Sequence, residues 1–162
     1  MLRKLFLLFA LCTISSLSAR AQDKAELFGG FSYMRFHSSN LNGWEISGQY
    51  KFTDWLGGVA DFDGHYGSIN GIGTSTYTYL FGPQISRPSS ISPFGHLLFG
   101  GAHNSTAGLG SSSFSMAIGG GIDAELAPGI NWRLTQADYL LTEFRGAAQN
   151  NFRFSTGILI RF

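Results

Sequence analysis

Cysteine is nearly absent. Cys12 is the single one among 162 residues, and it sits inside an apolar leader. Without Cys12 the rest of the chain can form no disulfide and no cysteine-based metal site. A lipidated cysteine would need a small residue just before it, and Leu11 is large. Charge is also scarce: 13% of residues, against about 25% in ordinary soluble domains. There is no basic run, which excludes an electrostatic nucleic-acid footprint. After the leader no apolar stretch approaches the ~18 residues of a spanning helix, so no transmembrane helix is expected. What fills these gaps is glycine, at 22 residues, and phenylalanine, at 15.

The N-terminus has the layout of a secretory signal. Met1-Leu-Arg-Lys4 is positive, Leu5 to Leu11 is apolar, and Ala19 and Ala21 form an A-x-A site before Gln22. The apolar run is shorter than the ~20 residues a membrane anchor needs. Residues 1–21 are therefore expected to be a cleaved signal peptide and 22–162 one domain. Of the 11 Lys and Arg, the leader removes Arg3, Lys4 and Arg20, which leaves 8 against 10 Asp and Glu and a net charge near −2.

The most informative segment is the last. Phe152, Phe154, Thr156, Ile158, Ile160 and Phe162 share one parity, while Arg153, Ser155, Gly157, Leu159 and Arg161 share the other. Side chains alternate across a strand, so this segment has one apolar and one mostly polar face. In water it would be a hazardous edge. In a bacterial outer membrane it suits a barrel strand, apolar outward and polar inward.

Similar segments recur. Trp44, Ile46, Gly48, Tyr50 and Phe52 alternate with Glu45, Ser47, Gln49 and Lys51. Phe62 and Tyr66 oppose Asp61, Asp63 and His65, and Tyr77, Tyr79, Phe81 and Ile85 oppose Thr76, Thr78, Leu80 and Gln84. In the fifth segment Leu97 and Phe99 are assigned outward and His96 inward, which turns Phe94 and Leu98 inward too. In the sixth, Met116, Ile118 and Ile122 oppose Ser115, Asp123 and Glu125. The seventh, from Ile130 to Phe144, changes phase, because Trp132 and Leu134 share a parity with Gln136 and Asp138. A bulge is expected near Thr135 to Ala137. With a first segment from Glu26 to Phe36, the count is eight.

Only a closed barrel lets strands cross a bilayer with every backbone group satisfied. The pattern predicts an all-β, eight-stranded antiparallel up-and-down transmembrane barrel in a bacterial outer membrane. Loops at 37–42, 67–75, 103–113 and 145–151 are placed outside the cell. Shorter turns near 54, 87–93 and 128–129 are placed in the periplasm. A secreted soluble barrel would need the reverse facing, and the scarcity of charge argues against it.

The run Tyr50-Lys-Phe-Thr-Asp-Trp55, the Phe81-Gly-Pro-Gln84 stretch and the terminal Phe162 resemble the OmpA-like outer-membrane β-barrel domain. The resemblance spans the segment after the leader. It implies that the terminal aromatic strand, and Phe162 with it, is read by the barrel-assembly machinery. Larger members add a peptidoglycan-binding domain, which is not expected here.

The candidate functional residues are inward and polar. Glu45, Lys51, Asp61, Asp63, His65, Asp123, Glu125, Arg133, Arg153 and Arg161 are expected to form a lumenal network, Arg133 lying in the strand that changes phase. An eight-stranded barrel fills its interior with side chains, so an open pore is not expected. Asp61, Asp63 and His65 could be read as a metal or proton site, but no metal-specific spacing is present. His103 and Ser105 resemble the His-x-Ser stretch of outer-membrane lipid A deacylases, which implies a base and a nucleophile. A triad also needs an orienting acid, and none lies between His103 and Ile122. Gly119-Gly-Gly121 precedes no helix and is no phosphate cradle. Trp44, Tyr77, Tyr79 and Trp132 suit an interfacial girdle. The expectation is a structural or surface-interaction barrel, monomeric and not an enzyme. No cofactor or metal is expected, and its partner is outer-membrane lipid.

Overall fold

A computed structural model describes residues 24–36, 39–69, 71–106, 108–144 and 147–162. The expected leader, with its cleavage site and Cys12, lies outside the described residues. Eight strands run in chain order: β1 Ala25–Phe36, β2 Ser39–Lys51, β3 Leu56–Ile69, β4 Ile72–Ser86, β5 Ile91–Thr106, β6 Leu109–Ala127, β7 Ile130–Phe144 and β8 Ala147–Arg161. Each pairs antiparallel with its chain neighbour, and β1 pairs with β8, so the sheet closes on itself. The seam is held to its end: Ala25 and Phe162 exchange backbone hydrogen bonds of 3.0 and 2.9 Å. Closure removes the unpaired edge that an apolar terminal strand would otherwise expose.

Parity decides the two surfaces. Leu27, Phe31, Trp44, Ile46, Phe62, Phe81, Phe99, Ile118, Phe154 and Ile158 are exposed on the outer wall. Soluble proteins rarely show so continuous an apolar surface. The inside holds polar and charged side chains together with an apolar cluster of Met34, Leu41, Val59, Leu80, Leu98, Ala117 and Leu140. The fifth strand follows its expected facing, since Phe94, His96 and Leu98 are buried and Phe99 is exposed.

The change of phase in β7 has a local cause. Asp123 pairs with Arg133 while Ile122 pairs with Thr135, and the ladder to β8 skips from Arg133 to Gln136. The bulge therefore sits at Leu134–Thr135, at the near edge of the expected stretch. Both residues face outward, and Arg133, Gln136 and Asp138 all turn inward.

The expected loops are largely strand. His103 pairs with Ser112 and Thr106 with Leu109, so the β5–β6 ladder continues through most of 103–113. Tyr66 to Ile69 likewise pairs with Ile72 to Ser75. These segments lack an apolar face and so read as loops, yet a ladder beyond an apolar belt needs no apolar face. The expected contrast in length is reversed. Only 37–38, 70–71, 107–108 and 145–146 separate strands at that end, against 52–55, 87–90 and 128–129 at the other. Gly129 takes φ 76°, a conformation glycine adopts without steric cost, and so permits the two-residue Pro128-Gly129 turn.

Candidate functional site: the lumenal charge network

Arg153, on β8, is fully buried at the centre. Its Nη1 donates to Asp61 Oδ1 at 2.8 Å and to Asp63 Oδ2, both on β3. Its Nη2 and Nε donate to Asp138 Oδ2 on β7 at 2.6 and 2.9 Å. Glu45 Oε2 on β2 lies 3.6 Å from Nε. A guanidinium has five N–H donors in a fixed fork, and here the fork spans acids from three other strands. A buried charge left alone is costly, which is why the acids crowd the single base.

Further polar groups extend this centre. Gln136 Nε2 donates to Glu45 Oε1 at 2.9 Å and Asp138 Oδ2 at 2.8 Å. His96 Nε2 lies 2.7 Å from Asp138 Oδ1. His65 bridges Asp63 Oδ1, 3.0 Å from Nδ1, and Ser32 Oγ, 2.9 Å from Nε2. Ser32 contacts Ser155 at 2.9 Å, and Ser155 donates to Glu45 Oε2 at 2.5 Å. Thr78 on β4 donates to Asp63. Both ring nitrogens of His65 are thus engaged within the protein, so the Asp61–Asp63–His65 run is built as a hydrogen-bonded brace.

Arg133 forms a second node. Its Nε and Nη2 meet Asp123 at 2.8 and 3.2 Å, and its Nη1 donates to Gln136 Oε1 at 2.8 Å. Its guanidinium carbon lies 4.5 Å from the Phe28 ring centroid and 4.1 Å from that of Phe94. Gly119 and Gly121 make room for these nodes. A Cβ at 119 would stand 2.0 Å from Asp138 Oδ1, and one at 121 would stand 2.8 Å from the Phe94 ring. Through Gln136 the two nodes join, and the connected side chains come from all eight strands.

Lys51 and Arg161 stand apart. They share Glu26 at 2.6 and 2.8 Å near the barrel mouth. Glu26 was not among the expected lumenal residues, although its register neighbours are Gln49 and Arg161. Glu125, expected to point inward, does not. Glu125 is exposed and forms no ion pair among the described residues. Glu125 lies where the ladder becomes irregular, between Glu125 and Ala127, next to the turn 128–129. His96, Gln136 and Asp138 were missing from the expected network. Setting the bulge at Leu134–Thr135 puts Gln136 and Asp138 on the inward parity.

His103 Nδ1 lies 2.9 Å from Ser112 Oγ on the next strand, and among the described residues neither Ser105 nor a carboxylate is a side-chain partner of His103. Phe162 is exposed on the outer wall at the β1–β8 seam.

No protein-family model and no curated protein sequence matches the chain. Solved structures do. Neisserial surface protein A superposes with a TM-score of 0.62 at 14% identity, over 85% of this chain and 96% of that one. The chain has the fold of the eight-stranded outer-membrane barrels. Ail, the attachment invasion locus protein of Yersinia pestis, matches with a TM-score of 0.55 at 18% identity, covering 86% of this chain and 97% of its own. The N-terminal β-barrel domain of Pseudomonas aeruginosa OprF gives 0.55 at 13% identity, covering 86% and 98%. Ail has also been described in a phospholipid bilayer nanodisc. At these identities the likeness is one of fold, and fold alone does not carry function.

Proposed function

We propose that the protein is a small bacterial outer-membrane barrel with a structural or surface-interaction role, exported by a cleaved leader and closed to solute flow. The observation that carries this reading is the pairing of an exposed apolar wall with a lumen crossed by one connected polar network. Lipid is the solvent that such a wall suits, and an interior packed with side chains leaves no aqueous channel. The wall carries Trp44, Trp132, Tyr77 and Tyr79, residue types that favour the membrane–water interface. The three barrels it resembles are described as a surface protein, an attachment invasion locus protein and the barrel domain of a larger protein, which supports a non-enzymatic role. The pairing of His103 with Ser112, with no carboxylate partner among the described residues, supports it further. Phe162, the last outward residue, serves as the assembly signal, and the barrel works as a monomer.

The test is refolding into lipid vesicles followed by electrophoresis with and without boiling, then planar-bilayer recording. A boiled–unboiled mobility shift without steady conductance is expected. A protein that stays soluble without lipid, or one that opens sustained channels, would overturn the reading.

A further inference from the structure

On the outer wall, beside the turn 87–90, Trp55, Ile85, Ser86, Arg87, Pro93 and Gly95 border a cleft of about 370 Å³. It is an open groove rather than the enclosed kind of pocket that buries most of a drug-sized ligand. The cleft exists because Gly95 has no side chain on an outward-facing position of β5, between Pro93 and Leu97. A Cβ there would meet only Gly119 O at 3.6 Å and Ile85 at 4.0 Å, so that position is open. Two backbone bonds fix the walls: Ser86 N donates to Trp55 O at 2.8 Å, and Arg87 N donates to Pro93 O at 3.0 Å. The lining is apolar except for Ser86 and Arg87. Arg87 is exposed and forms no ion pair among the described residues. Two exposed acids lie at the same barrel end: Asp54, which borders a separate cleft with Lys24 and Lys51, and Glu125. Neither pairs with Arg87.

An apolar cleft on a lipid-facing wall, with one uncompensated guanidinium at the strand end, matches a molecule with an anionic head and a hydrocarbon tail. Guanidinium suits phosphate, because its planar fork presents parallel N–H donors. We propose that this cleft holds an anionic glycerophospholipid of the adjoining leaflet, its phosphate on Arg87 and an acyl chain along Ile85, Pro93 and Gly95. The inference rests on the membrane-barrel reading above. Trp55 reports on the site, since it borders the cleft.

The experiment uses the barrel with Trp44→Phe and Trp132→Phe, which leaves Trp55 as the one tryptophan. It is refolded into phosphatidylcholine vesicles carrying acyl-brominated phosphatidylglycerol or acyl-brominated phosphatidylcholine, and Trp55 quenching is read. Brominated phosphatidylglycerol should associate about fivefold more strongly, the scale of one basic side chain facing an anionic lipid. Arg87→Gln should abolish that preference, and Arg87→Glu should invert it. Lys24→Gln should leave it intact. Gly95→Leu should fill the cleft and lower quenching by both lipids. Equal quenching by the two lipids would mean ordinary boundary lipid and would overturn the site. So would a preference that survives Arg87→Gln or is lost equally in Lys24→Gln. Absence of quenching by either lipid in a folded sample would instead overturn the membrane-barrel reading itself.

Discussion

Arg153 and Arg133 are both buried guanidiniums in one lumen, yet they are stabilised in different ways. Arg153 is met by four carboxylates from β2, β3 and β7. Arg133 has one carboxylate, one amide and two aromatic faces. Its acid comes from the neighbouring strand, so the pair ties β6 to β7 only. Of the acids around Arg153, Asp138 lies opposite it on the adjacent β7, while Glu45, Asp61 and Asp63 reach it from β2 and β3, which share no ladder with β8. A charge can thus be accommodated by opposite charge or by π-faces and fixed dipoles. Only the first arrangement also ties distant parts of the sheet together. The cost of losing each arginine should follow that distinction.

The largest effect is expected at Arg153. Arg153→Met leaves Glu45, Asp61, Asp63 and Asp138 facing one another without their base. It should destabilise the folded barrel by about 3–5 kcal/mol, read by urea unfolding in vesicles. Adding Asp61→Asn and Asp138→Asn should recover much of the loss. A guanidinium with no compensation at all sharpens the contrast: Ile118→Arg on the lipid face should cost about 2–4 kcal/mol. Removing only an aromatic face from Arg133, by Phe94→Leu, should cost about 1–2 kcal/mol. It should leave the brace around Arg153 intact, visible as unchanged protection of backbone amides in β3 and β8. The smallest effect is expected at the mouth. Lys51 and Arg161 keep 12% and 15% of their side chains exposed, so water can replace their shared partner. Glu26→Gln should cost no more than about 1 kcal/mol.

Much of this architecture is legible from parity alone. The terminal strand, the Trp44–Phe52 strand and the Asp61–His65 run each declare a polar and an apolar face, and the barrel places those faces as read. Parity fails where the ladder is irregular. A bulge at Leu134–Thr135 re-phases β7 and brings in Gln136 and Asp138, which share a parity with the outward Trp132. It fails again beyond the apolar belt, where Ser105 to Ser113 has no apolar face to show and is nevertheless mostly strand. Partner choice lies further out of reach. Which acid meets Arg153 depends on how strands are staggered around the closed sheet. One strand's alternation contains nothing about that stagger. Glu26 illustrates the same limit, because its link to Lys51 and Arg161 follows from the β1–β8 seam.

The most direct test of the whole account is where water reaches the wall. In intact cells, with Cys12 replaced by Ser, single cysteines would be placed at Ser112, Ile118 and Ile158 and exposed to a membrane-impermeant maleimide. Labelling at 112 with none at 118 or 158 is the expected result, because the proposed membrane reading puts Ile118 and Ile158 against the bilayer and Ser112, near the start of β6, at the cell-exterior end. Equal labelling at 112 and 118 would contradict a lipid-embedded barrel.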